Sequence, residues 1–321
     1  LHPRVRRQRQ MCIRDRTRCG AQVDVAIPNR ITDGYGLNRN LITEALECGV
    51  DTILTCDNGI AAIEEIAYAK EAGMTVLVTD HHEIPFKDVD GERIYMRSEA
   101  DAIVNPHQKT CTFPYKDLCG AGVAWAVIVA LYEKNNIEQR EVEDLLEFVA
   151  FATVGDIMSL TGLNRILVKE GLKRIHHTTN IGMRALVSQC GLLPEQIDTY
   201  HFGFVLGPCI NAAGRLDTAR RALRLFISES PEEAAEIADE LVVLNEERKE
   251  MTRQGVEEAK QLVEEGGYEK DPVLILYLPD VHESIAGIIA GRIRECYYRP
   301  TFILTKACLL YTSPSPRDST S

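Results

Sequence analysis

Two short apolar runs, DTILTCDNG (residues 51–59) and MTVLVTDHH (residues 74–82), constrain this chain more than any other feature. Each is too short for a stable helix, and each stops at an aspartate. Between them AAIEEIAYAKEAG carries its apolar residues at helical spacing and closes at Gly73. Strand, helix and strand at this rhythm predict a parallel sheet buried on both faces. Asp57 and Asp80 are 23 residues apart, about one βα repeat. Both then fall just past the carboxyl ends of their strands, the edge at which open α/β sheets bind ligands. Upstream, VDVAIP (residues 23–28) reads as a further strand. NRNLITEALECG reads as a helix, with Asn38 as N-cap and Gly49 after its end.

From Gly120 the pattern turns helical, through GAGVAWAVIVALYEK, VEDLLEFVAFATVGDIMSL and NRILVKEGLKRIHH. A long helix follows, with Ser230 as N-cap, Pro231 at its first position and Glu233 completing a capping box. Its apolar stripe runs through Ala234, Ile237, Leu241, Leu244 and Met251 to Gly266-Gly267. DPVLILYLPD then opens a second strand region and HESIAGIIAGRIREC a helix. The fold class is α/β: a parallel-sheet domain with a helical insertion over 19–228, a long bridging helix over 229–268, and the start of a second α/β domain over 269–307. Residues 1–18 are arginine-dense without periodicity, and 308–321 are low in complexity. Both ends are read as non-native, adaptor-derived sequence and set aside.

The 321 residues carry a net charge of −12; removing 1–18 takes away seven arginines and one aspartate and leaves −18. That balance excludes a protein that grips nucleic acid by a global positive field, though not one with a local basic groove. Ten cysteines without a C-x-x-C pair or regular spacing are read as reduced thiols of a cytoplasmic protein. No apolar run approaches 18 residues, so no membrane span is expected.

Asp57 in CDNG, Asp80, His81 and His82 in VTDHHE, and Asp156 in VGD are the residues whose types match a divalent-cation site. Carboxylates with an imidazole suit Mn²⁺ as well as Mg²⁺. Each has a bland reading alone: Asp-Asn-Gly is a common turn, Asp156 can cap a helix, and paired histidines recur at His176-His177. Position lifts the DHH above these, one repeat after another aspartate at an equivalent strand end.

The ordered stretches IPNRITDGYGL, CDNGI, VTDHHE, the NP of IVNPH, LCGAGVAWAV, FATVGDIMSL, GPCINAAGRLDTA and VHESIAGIIAGRI with YYRP resemble the DHH phosphoesterases. Within them the likeness is to the branch of single-strand-specific exonucleases. It covers residues 23 to 305, and it implies that the second α/β domain is the one called DHHA1 in that family. The resemblance implies two Mn²⁺ or Mg²⁺ ions in the complete protein. Asp57 would be the carboxylate shared between them, and His81 and Asp156 ligands of one. Asp80 would orient a histidine by hydrogen bond, and His82 would face the scissile phosphate, the pair being the catalytic candidates. Arg215 and Asn211 of NAAGR, and Arg30 of PNR, would hold substrate phosphates. The activity implied is exonucleolytic hydrolysis of single-stranded DNA, 5′ to 3′, in repair and recombination. A single-strand-binding protein and a repair helicase are the further partners.

The sequence departs from the family in two places. The Asp-Tyr-Asp-x-Asp-Gly motif that supplies the remaining ligands should precede Val23 and is absent, and the Gly-Gly-His stretch of the second domain is missing. The chain as written is therefore expected not to turn over. Two alternatives are a DHH phosphodiesterase of short oligonucleotides or cyclic dinucleotides, and a catalytically inactive replication scaffold of the same fold.

Overall fold

The computed structural model describes residues 19–28, 36–216 and 220–306, with 213–216 described as backbone. It divides into two compact units, Leu1–Val242 and Val243–Ser321.

In the first unit, helix α1 (Arg39–Glu47) starts where Asn38 accepts the Leu41 amide, and the chain leaves it through Gly49 in the left-handed region. Strand β1 (Thr52–Cys56), helix α2 (Ile63–Glu71), strand β2 (Thr75–Thr79) and strand β5 (Ala102–Val104) form a parallel sheet in the order β1-β2-β5. The hairpin β3 (Phe86–Val89) and β4 (Glu92–Tyr95) is inserted between β2 and β5. Val76 and Val78 pack with Ile42 and Ile66 of α1 and α2. On the opposite face Leu54 and Cys56 join a helical core. The sheet is thus covered on both sides, as its apolar runs require. Val23–Pro28 does not form the expected strand. It carries no ladder, so its backbone has no sheet neighbour to specify that conformation.

The helical layer comprises α3 (Gly120–Lys134), α4 (Gln139–Glu143), α5 (Leu146–Gly155), α6 (Gly162–Ile175), α7 (Ile181–Gln189), a π-helix (His201–Leu206) that runs on into α8 (Gly207–Leu216), and α9 (Arg220–Ile227). Helix α5 is buried from Leu146 to Thr153, Glu147 included, as a predominantly apolar helix must be. Helix α10 (Pro231–Gly266) begins as expected at Ser230, whose Oγ accepts the Glu233 amide at 3.2 Å. The capping box is only half made, because the Glu233 carboxylate accepts from Ser228 Oγ and Arg224 instead of reaching back to the Ser230 amide. The division between units falls within α10.

In the second unit, β6 (Leu274–Tyr277) and β7 (Thr301–Leu304) pair in parallel around α11 (Glu283–Tyr297). Their core is Leu274, Leu276, Ile285, Ile289 and Ile293 with Ala259 and Val263 of α10. His282 N-caps α11 by accepting the Ser284 amide. Among the described residues, no helix is long and apolar enough to cross a membrane.

Candidate metal centre

Strand register builds the site. Cys56 lies opposite Thr79, and Thr79 opposite Val104. The next residues, Asp57, Asp80 and Asn105, therefore stand side by side along one carboxyl edge. The Asp57 amide bonds Thr79 O and the Asp80 amide bonds Val104 O, which carries the ladder one step past the strands. Asp57 adopts φ +62°, a left-handed conformation that aspartate tolerates better than most residues. Gly59 follows at φ +104°, where a Cβ would meet Thr55 Oγ1 at 2.6 Å. That close approach requires glycine, so CDNG is a turn and also a site element.

Three of the sequence-predicted ligands converge. His81 Nε2 lies 2.9 Å from Asp57 Oδ1 and 4.0 Å from Asp156 Oδ2. Asp156 arrives from the other side of the sheet, as the residue that ends α5. The chain turns there through Ile157 in the left-handed region. Asp57, Asp80 and Asp156 are all buried. Asp57 Oδ1 and His81 Nε2 are buried too, and among the described residues neither makes a hydrogen bond of proper geometry. Two polar atoms so close, both inside the protein and neither aligned as donor to the other, are the arrangement a bound cation leaves in its ligands. Burying carboxylate without compensation is costly, and here the side-chain nitrogens beside Asp57 and Asp80 both belong to imidazoles. The donor set of carboxylate and imidazole fits Mn²⁺ or Mg²⁺.

The Asp80 carboxylate bonds the ring of His82 and not the ring of His81. Its Oδ1 accepts the His81 amide at 2.7 Å, the His82 amide at 3.2 Å and His82 Nδ1 at 2.7 Å; its Oδ2 accepts the Ile60 amide at 2.9 Å. Burial alone would raise the Asp80 carboxyl, but the donors from His82 and Ile60 outweigh it and hold it below the usual range. The same bond raises His82 above an ordinary imidazole, against partial burial and helped by the negative charge of Asp80, Asp57 and Asp156. With Nδ1 committed to Asp80, the half-exposed His82 keeps Nε2 for whatever enters the site. Donor atoms of Asp57, His81 and His82 lie within 4.8 Å of one another.

Two contributors escaped the sequence reading. Asn105 Nδ2 donates to His82 O at 2.9 Å, fixing the backbone of the histidine pair. The signal for it was its place one strand further along the same edge, but β5 is only three residues long. Cys119 is fully buried under the site; burial first, then the charge of Asp156, pushes its thiol up to about 12. Its Sγ packs on Thr153 Oγ1 at 3.3 Å and accepts the Gly122 amide at 3.4 Å, which caps α3.

The expected phosphate anchors are placed in part. Asn211 lies half-buried in α8, and its Oδ1 has no hydrogen-bond partner among the described residues. Arg215 lies one turn further along the same helix, in the part described as backbone. Arg30 lies outside the described residues.

Comparison with known proteins places this geometry. The model of the DHH family, N-terminal domain, matches residues 6–153. The match begins inside the segment 1–18 and includes Asp57, Asp80, His81 and His82. The single-stranded-DNA-specific exonuclease RecJ of Salmonella typhimurium is 36% identical over 298 residues, 89% of this chain and 50% of that protein. The RecJ of Bacillus subtilis is 35% identical over 284 residues, 88% of this chain and 34% of that one. The chain thus spans half or less of the length of these relatives. A crystal structure of exonuclease RecJ bound to manganese superposes with a TM-score of 0.81 at 31% identity, covering 94% of this chain and 72% of that one. RecJ of Thermus thermophilus in complex with Mn²⁺ gives 0.77 at 29% identity, over 95% and 42%.

Proposed function

The chain belongs to the DHH family, in its RecJ branch, and from that premise we propose that it carries the metal-dependent catalytic centre of a single-stranded-DNA exonuclease. The observation that supports this most is the buried pair Asp57 Oδ1 and His81 Nε2, 2.9 Å apart without a hydrogen bond and flanked by Asp156. Asp57, His81 and Asp156 would hold Mn²⁺ or Mg²⁺, and such ions supply an activated water and neutralise charge on the leaving oxygen.

The remaining work falls to the chain itself. Asp80 fixes the ring of His82 and raises its proton affinity, so His82 presents an N–H donor to a phosphate oxygen beside the ligand cluster. Asn211 and the arginines Arg215 and Arg30 would hold neighbouring phosphates, the arginines by bidentate contact. Polarity of 5′ to 3′, a place in cytoplasmic repair and recombination, and partners such as a single-strand-binding protein and a repair helicase are parts of the proposal that rest on resemblance. An inactive scaffold is the weaker reading, since it has no need to gather buried carboxylates around a histidine.

Titration of the chain with Mn²⁺ under thermal melting tests the site. The melting temperature should rise with Mn²⁺, as it must when a ligand binds only the native state, and Asp57→Ala should abolish the rise. No response to Mn²⁺ or Mg²⁺ would overturn the metal reading. For the activity, the complete gene product should degrade a 5′-phosphorylated single strand faster than a dinucleotide; the reverse order would favour the short-oligonucleotide alternative.

A further inference from the structure

The low aromatic content leaves open where a single strand would stack. The π-helix His201–Leu206 answers this. π-Helices are rare and recur at functional sites. Its inner side is anchored to α5, the helix that delivers Asp156: the ring of Phe202 packs on Phe151 at a centroid distance of 4.9 Å, and Gly203 lies against Val154. On its outer side, Tyr200 and Phe204 are 60% and 70% exposed. Their rings stack on each other, 5.1 Å between centroids and 26° between planes. Asn211 follows in α8, half-buried, with its Oδ1 inside the protein.

We propose that Tyr200 and Phe204 form a base-stacking platform for the single strand. The proposal rests on the exonuclease reading and deepens it. A near-parallel ring pair offers a flat apolar face of the size of a nucleobase, and stacking of this kind accepts any base. The apolar face is narrow, since the neighbouring Asp198 and His201 form an ion pair at 2.6 Å. The bases lean on the rings, which suits an enzyme that must accept every sequence in turn.

The test compares the full chain with the Tyr200→Ala/Phe204→Ala variant. Binding is read by fluorescence anisotropy in Mn²⁺, on a phosphorothioate oligothymidylate that resists hydrolysis and on an abasic strand of equal length. The wild type should bind the strand with bases roughly tenfold more tightly than the abasic one. The double variant should lose that preference and bind both strands at the abasic level, while Phe204→Trp should keep it. An iodouracil-substituted strand should photo-crosslink to the peptide containing Tyr200 and Phe204. Both side chains are exposed, so melting temperature should hold in all variants. If the wild type binds the strand but shows no preference over the abasic one, or the double variant keeps it, the platform is overturned and the exonuclease reading stands. If the wild type binds neither strand, both fall. If sedimentation shows a dimer that the double variant disperses without changing DNA binding, the face is a self-association surface and the platform is overturned.

Discussion

Asp80 ends β2 inside the protein and is saturated, its two oxygens accepting three backbone amides and one imidazole. An asparagine is nearly isosteric but turns one acceptor into a donor, so at least one of these amides or the imidazole N–H then faces another N–H. Asp80→Asn should cost about 2 kcal/mol, the scale of an unsatisfied buried polar group, and should loosen His82 while leaving Asp57 and His81 in place. Chemical denaturation would read the loss, and Mn²⁺-induced stabilisation should persist. If that stabilisation disappears with Asp80→Asn, then Asp80 helps hold the ion directly and its assignment to His82 is wrong. That Asp57 and Asp80 share one edge of the sheet was legible in the sequence, because acidic residues at successive strand ends have few structural uses. The division of labour within DHH was not. It depends on which histidine the carboxylate reaches, and adjacent residues in an irregular segment carry no periodicity that decides it.

At the level of elements, α5, the helix that ends at Asp156, is held close to α6. Gly171 of α6 sets that distance, since a Cβ there would stand 2.2 Å from Leu146 O and 2.4 Å from Ala150 Cβ. Backbone cannot yield as a flexible side chain does, so Gly171→Ala should destabilise by about 3 kcal/mol or prevent folding. Gly287 of α11 is the control: nothing lies within 4 Å of its added Cβ, and Gly287→Ala should be neutral or stabilising by up to about 1 kcal/mol. Equal melting temperatures for the two variants would show that the helices can separate without loss. The sequence announced α1, β1, α2, β2, α3, α5 and α10 through caps, periodicity and closing glycines. It misled at Val23–Pro28, where β-branched residues make a strand only if a neighbour pairs with them. It was silent on the π-helix, because HFGFVL at that spacing reads as ordinary α-helix until the packing of Phe202 and Gly203 is known.

For the whole molecule two surface properties set behaviour in solution. In the second unit Leu274 and Leu276 face the core, whereas Ile275 lies opposite Phe302 and Tyr277 opposite Leu304, all four exposed. These pairs make one apolar patch on a two-stranded sheet, and patches of this kind promote association. The chain should self-associate with rising concentration, and Ile275→Thr with Phe302→Thr should suppress it while keeping strand propensity; sedimentation at two concentrations decides. The second property is charge. A net −12 on the chain cannot attract a polyanion at long range, so any single strand must be held by a few local cations, stacked bases and the bound metal. Each phosphate neutralised on a single strand contributes about −0.7 to the slope of log affinity against log salt. With Arg30 and Arg215 as the cationic anchors, that slope should be shallow, about −1 to −2, when the strand is titrated in Mn²⁺ at several salt concentrations. A slope several times steeper would reveal an extensive basic groove and displace stacking as the main source of affinity. A slope of zero would remove the arginines from the interface altogether. The shallow result is the one that fits an acidic chain, whose long-range field repels a polyanion and leaves only local contacts to hold it.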